Sequence, residues 1–315
     1  MMATGGADWS GTSWDDWADA HLIRARLDAG ADPNAGVHHH GRPLHAAAEL
    51  GSPEVIAELA ARVDDVDAEH QGHTALWRAV FANRPDNALA LLAAGADPWR
   101  PMMSGWTPGR LSLASPTPDL FPLPPGRPSL SAAETAAVAE ARRLIDALGE
   151  LEYEGLGLVC VAGIGMAEAV RRLEAEQAYE DDDEYLSSSM DSRTTVGITE
   201  VPGGCVVSQQ WGALPCSHRV LERLSAGTVC YALYANPSSG DQGSIARDGV
   251  VEQWDTHPGG GTVSPDASAE DILTTYLYHH QAVAYCCAAA GLRMTSGRAI
   301  TGLPDDYLRI PANLG

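Results

Sequence analysis

The chain has 315 residues, 45% of them apolar, with 42 acidic against 20 basic side chains and a formal net charge of −22. That length predicts two domains, each able to bury a core. The charge reverses the phosphate attraction behind non-specific nucleic-acid and anionic-membrane binding, so neither partner is expected and a basic protein is favoured. No apolar run reaches the roughly 18 residues of a membrane span, and the acidic, Trp-bearing start does not read as a secretory leader. A cytoplasmic protein is expected. All basic residues are arginine, as in the Ala/Gly-rich proteins of GC-rich bacteria. That excludes a P-loop lysine, a kinase lysine and a Schiff base.

Residues 1–13 carry no periodic pattern and are expected to be disordered. From 14 to 149 the chain repeats. Gly30-Ala31-Asp32-Pro33-Asn34 returns as Gly95-Ala96-Asp97-Pro98-Trp99, two periods of about 33 residues later, with Arg62 to Asp67 holding the phase between them. After each comes a turn glycine and a helix start: Gly41-Arg42-Pro43-Leu44-His45, Gly72-His73-Thr74-Ala75-Leu76-Trp77 and Gly105-Trp106-Thr107-Pro108. Thr at the N-cap accepts from freed amides, and Pro suits the first helical position. Val55, Ile56 and Leu59, then Leu89, Leu91 and Leu92, give the second helices an apolar face that only a stacked neighbour can cover.

These residues resemble the ankyrin repeat, with its hairpin, Thr-Pro-Leu-His helix start, second helix and Gly-Ala-Asp turn. The phase gives a half-repeat over 14–30, full repeats at about 31–62 and 63–95, and a third unit beginning near Ala96. There Gly109 stands where leucine is expected, and a Pro-rich insertion at 115–128 separates the two helices. Ser131 and Glu134 form a capping box for the second, which runs to Leu148. The resemblance implies a concave binding face of hairpin tips and first helices. On it fall His38, His39, His40, His70, Arg78, Phe81, Trp99, Met102, Met103 and Trp106.

The Trp/Met/Arg composition suits an interface hot spot, or else Trp99 to Trp106 cover the end of the array. As an interface, Trp99, Met102, Met103 and Trp106 are expected to carry more binding energy than the acidic loop at Glu180 to Glu184. The histidines read as a solvated or partner-facing cluster, because tips of adjacent repeats do not converge on one metal. His45 reads as structural.

Residues 150–315 change period. Leu158 to Val161 read as a buried strand and Met166 to Gln177 as a helix. Thr194 to Val201 and Cys205 to Trp211 read as a hairpin, and Ser217 to Ser225 as a helix. Strands follow at Thr228 to Ala235, Gly243 to Arg247 and Val250 to Trp254, with a turn at Asp248-Gly249. A long helix is expected over Ser268 to Ala290 and a short one from Pro304. The fold class is therefore a helical solenoid followed by an α+β domain with a mainly antiparallel sheet.

Leu158 to Val161 with Gly163, Glu168 to Leu173, Thr195-Val196-Gly197 and Val201 to Gly204 resemble an uncharacterised domain family common in actinobacteria. Val220 to Gly227, Asp248 to Val250 and Leu303 to Leu308 continue the likeness. The family's Glu-x-Asn-Gly element is here Gln209-Gln210-Trp211-Gly212. The family has no assigned activity, so the resemblance implies a fold and no chemistry.

Cys160, Cys205, Cys216, Cys230, Cys286 and Cys287 lack paired CxxC spacing, so reduced buried thiols are expected, with no metal and no cofactor. His279 with Cys286, and His280 with Cys287, would stand two turns apart, too far for a nucleophile–base pair. Cys216, His218 and Arg219 at a helix start are the enzyme candidates. Gly259-Gly260-Gly261 reads as a flexible connection. The sequence thus reads as an adaptor or regulatory protein that holds a protein or peptide through its array. One version is an immunity or inhibitor protein for a basic partner, and the alternative is a tailoring or hydrolytic enzyme whose array recruits the substrate.

Overall fold

Prolines and short polar caps start the helices of the repeat array. In the computed structural model, which describes residues 8–37, 41–178, 194–255, 257–261 and 263–314, Asp19 caps α1 (Ala20–Asp28) by accepting from the His21 and Leu22 amides. Pro43 opens α2 (Pro43–Leu50). Ser52 and Pro53 open α3 (Pro53–Ala60), Thr74 caps α4 (Ala75–Phe81) and Pro85 opens α5 (Pro85–Ala93). Thr107 and Pro108 start α6 (Pro108–Ser112). Each cap satisfies amides that the first turn leaves free, and proline has no amide to strand there. His45, Trp77 and Arg110 fall at the same position of successive first helices, so the repeat phase is carried through.

Gly109 replaces a leucine because Trp99 needs its space. A Cβ there would lie 2.9 Å from the Pro98 carbonyl oxygen and 3.0 Å from the Trp99 ring. Residues 113–131 then form no helix. α7 (Ala132–Leu148) starts with a reciprocal box: Ser131 N–H donates to Glu134 at 2.7 Å and Glu134 N–H to the Ser131 hydroxyl at 3.2 Å. Within 8–13 one side chain anchors the segment to the array. Trp9 is buried, stacks on Trp17 at 5.5 Å, and donates its indole N–H to the Asp32 carbonyl at 2.7 Å.

Six strands of the second half follow the expected runs, and with two more they form one eight-stranded sheet of order β2-β8-β3-β4-β1-β5-β6-β7. They are β1 (Gly157–Ala162), β2 (Glu176–Gln177), β3 (Thr195–Val201), β4 (Gly204–Gln209), β5 (Val229–Asn236), β6 (Gly240–Arg247), β7 (Val250–Asp255) and β8 (Asp306–Arg309). The paired neighbours are antiparallel. α8 (Met166–Leu173) and α9 (His218–Leu224) cover one face, where Val159, Val161, Cys205, Val207 and Cys230 meet Ala169, Leu173, Val220, Leu221 and Leu224. On the other face α11 (Ala282–Ala289) packs on β5, with Cys287 Sγ 3.7 Å from Cys160 Sγ. Because β1 is central and covered on both faces, it reads as an unbroken apolar run rather than an alternating one.

Three elements differ from expectation. The long helix over 268–290 is two helices, α10 (Ala269–Leu277) and α11, broken where His280 adopts a left-handed φ of 59° and its amide donates to the Gly259 carbonyl at 2.6 Å. That turn sits on bare backbone: a Cβ at Gly259 would lie 2.7 Å from the Tyr278 carbonyl oxygen. Gly259 therefore packs closely, where a flexible connection was expected. Pro304 begins no helix, because Asp305 N–H donates to the Ile198 carbonyl at 2.9 Å and its carboxylate takes the Glu200 amide at 2.9 Å, laying the chain onto β3 as β8. The helix from Met166 stops at Leu173, where Glu174 turns left-handed (φ 52°), and Glu176–Gln177 pair as β2.

The chain divides into two compact units, Met1–Ala136 with Val263–Leu277, and Ala137–Thr262 with Tyr278–Gly315. A single boundary at 149/150 does not describe this division. The cut falls inside α7, and a late segment returns to the first unit.

Candidate binding face of the repeat array

The hairpins of the array are tied edge to edge by their own polar residues. The Asn34 carboxamide oxygen accepts from the Asp64 amide at 3.1 Å, and one repeat later the Asp67 carboxylate accepts from the Asp97 amide at 3.0 Å. His45 Nε2 lies 2.9 Å from the His73 carbonyl oxygen, which bonds the first repeat to the second hairpin. Asn87, which sequence reasoning passed over, is buried and donates to the carbonyls of Ala47, Ala48 and Gly51 at 3.3, 3.1 and 3.0 Å. They lie at the end of α2, where carbonyls run out of helical partners and the Ala47 carbonyl also takes the Gly51 amide at 2.8 Å.

Within this frame the rings of His45 and His73 are uncharged near neutrality, and His45 Nε2 keeps the proton it donates to the His73 carbonyl. Burial, aided by the Arg78 charge, pulls both down to about 4. Arg78 itself is buried and paired with Glu49 at 3.0 Å.

The aromatic residues of the face are covered. Trp77 stacks on Phe81 with ring centroids 6.3 Å apart, and Phe81 meets Tyr276 at 5.6 Å. Trp106 is fully buried and donates its indole N–H to the Ala269 carbonyl at 3.0 Å. The Arg110 guanidinium lies 4.2 Å from the Trp106 ring centroid and pairs with Glu134 at 2.7 Å. The Ser104 hydroxyl donates to the Ala267 carbonyl at 2.5 Å. Met103 is buried, Met102 half-buried, and Trp99 buried over Gly109. His70 is half-buried against the first hairpin, where a Cβ on Gly41 would meet its ring at 2.6 Å.

Of the residues singled out in the sequence, Arg78, Phe81, Trp99, Met103 and Trp106 are thus inside the first unit rather than open to solvent. His38, His39, His40 and the acidic loop at Glu180 to Glu184 lie outside the described residues. Pro265, Ala267, Ala269 and Tyr276, which complete the face, carried no sequence signal, because their contact with the array is between residues far apart in the chain.

Residues 18–102 match the family of ankyrin repeats (3 copies). The hairpin ladder, the His45 bond and the aligned helix starts of the ankyrin array are the geometry behind that match. A comparison with curated proteins finds no match to the chain. Among the described residues no helix is long and apolar enough to cross a membrane.

The enzyme candidates of the second unit do not converge. The Cys216 thiol donates to the carbonyls of Leu233 at 3.2 Å and Leu158 at 3.7 Å, and burial pushes it up to about 12. His218 is exposed and 3.2 Å from Glu222, and Arg219 donates to the Asn313 carbonyl. A cleft of about 840 Å³ does open in this unit, between the β3–β4 end and the 300–304 turn. Trp211, 72% exposed and left-handed at φ 53°, stands at it. Neither Cys216, His218 nor Arg219 lines that cleft, and no His, Cys, Asp or Glu does.

Burial also raises Cys205 and Cys230 to about 12 and Cys286 well above the usual thiol range. Cys160, whose thiol faces Cys287, is raised as well. Thiolate is the reactive form. A disulfide reagent at about pH 8 should therefore find the native protein nearly silent over minutes and titrate all six cysteines after denaturation. A fast-reacting native thiol would show that the sheet core is open.

Proposed function

We propose that the protein is a cytoplasmic interaction protein whose ankyrin array holds a basic protein or peptide partner, with the second unit as the body it presents or regulates. The observation that carries this reading is the acidic hairpin edge. Asp32, Asp64, Asp65 and Asp97 are exposed along the row of tips, on a chain of net charge −22. Aligned like charges on a rigid edge raise the local concentration of a cation-bearing partner and repel phosphate-rich ones. Nucleic acid and anionic membrane surfaces are therefore outside the proposed partners. An enzyme acting on a recruited substrate has the neutral cleft beside Trp211 as its support and no convergent catalytic group lining it.

The test is affinity capture by the full-length chain, followed by titration of the recovered partner against two exposed charge reversals. Asp64→Arg on the array should weaken binding about tenfold and flatten its salt dependence, whereas Glu252→Arg on the second unit should leave both unchanged. Loss of binding with Glu252→Arg and none with Asp64→Arg would place recognition off the array.

A further inference from the structure

The segment Val263–Leu277 lies along the array's face as a bound peptide would. Pro265 comes against Gly72 of one hairpin, where a Cβ on the glycine would be 3.5 Å away. Ala267 offers its carbonyl to Ser104 of the next hairpin, and Ala269 offers its carbonyl to the Trp106 indole. The backbone then turns into α10, capped by Ser268, whose hydroxyl accepts the Asp271 amide at 3.1 Å. Tyr276 closes the contact on Phe81. An extended lead-in held by its carbonyls, followed by an amphipathic helix with Ile272, Leu273 and Tyr276 buried, is a helix-in-groove recognition mode.

The occupant, like the hairpins it lies on, is acidic. The lead-in and first turn carry exposed Asp266, Glu270 and Asp271. Asp266 lies between the residues that meet Gly72 and Ser104, and the hairpins of that glycine and serine also bear Asp67, Glu69 and Asp97. The array's nearby arginines are already paired, Arg78 with Glu49, Arg100 with Glu69 and Arg110 with Glu134. What seats the segment is apolar burial and hydrogen bonding to its backbone carbonyls.

We infer that Val263–Leu277 is a tethered ligand occupying the array's groove. The external partner class would be a basic amphipathic helix that repeats its apolar pattern, with arginine or lysine in place of the acidic residues, and displaces it. This rests on the array-binding reading above and adds the site, the ligand chemistry and the need for displacement. The tether favours the resident segment through its high effective concentration. A competitor must therefore gain from complementary charge, and partner binding registers as release of residues 263–277.

The experiment uses the full-length wild-type chain and three synthetic peptides spanning residues 263–277. One has the native sequence, one carries Asp266→Arg, Glu270→Arg and Asp271→Arg, and one adds Tyr276→Ala to those reversals. Binding is read by fluorescence anisotropy and release by native-state hydrogen exchange of the α10 amides. The charge-reversed peptide should bind at least tenfold more tightly than the native one, lose that advantage at high salt, and speed α10 exchange while the other array helices stay protected. Adding Tyr276→Ala should abolish its binding.

In the full chain, Tyr276→Ala should in turn admit the native-sequence peptide. Should that variant fail to fold, the wild-type arms decide alone. Binding of the charge-reversed peptide without faster α10 exchange would overturn the tethered-ligand inference and leave array binding standing. No preference among the three peptides would overturn the proposed ligand chemistry, while partner capture remains a separate readout.

Discussion

Trp106→Ala should cost about 3–5 kcal/mol of stability, the range for truncating a buried aromatic, and should do so before any partner is added. The side chain is fully buried, it supplies the hydrogen bond to Ala269, and the Arg110–Glu134 pair is built against its ring. Removing it leaves a large void and an arginine without its aromatic support. Against a total stability of about 5–15 kcal/mol, that is enough to lower the urea midpoint severely. Trp106→Phe keeps most of the volume and gives up the hydrogen bond, so it should cost closer to about 1 kcal/mol. Urea denaturation of both variants, followed by near-UV circular dichroism, checks this. A Trp106→Ala chain as stable as wild type would mean that the indole is not packed as described.

Mild acid should be the second large perturbation. His45 and His73 are held neutral, with folded values of about 4 against about 6.5 in an unfolded chain. Between those values the unfolded state binds protons that the folded state does not. The stabilisation is therefore fully present above about pH 6.5 and is lost progressively as the pH falls towards 4. With both rings contributing, the slope reaches at most about 2.7 kcal/mol per pH unit.

Urea stability measured at intervals across that window should fall steeply for wild type. His45→Asn or His73→Asn should roughly halve the slope, whatever either does to stability at neutral pH. An unaltered slope in both variants would assign acid sensitivity to the carboxylates instead.

The repeats were legible because a phase that returns several times is self-checking. His45 and Trp77 occupy equivalent helix positions, and the Ser131–Glu134 box forms as its spacing implies. Asp248-Gly249 carries two left-handed residues, at φ 51° and 80°, as the hairpin dipeptide requires. What stayed hidden depends on distant partners. The break between α10 and α11 occurs at a histidine rather than a glycine, inside an Ala-rich stretch that looks helical on both sides, and Gly259 fixes it from outside. Pro304-Asp305 resembles a helix start until Ile198 and Glu200 claim its hydrogen bonds. At the binding face the array's aromatics were visible, but nothing local marks Ala269 or Tyr276 as the residues that cover them.

The late return of Val263–Leu277 also sets the order in which the molecule can be finished. A ribosome emits Trp106 long before Ala269, which is 163 residues further on. At about 5–20 residues per second that gap is on the order of 10–30 s. For that interval the first part of the chain to emerge has no cover for its indole or for Phe81, although its own repeats are already synthesised. The repeat unit thus begins folding early but cannot be completed until residues 263–277 have emerged. A nascent chain paused between these two points, or a product truncated there, would carry an uncovered aromatic surface of the kind that holdase chaperones retain.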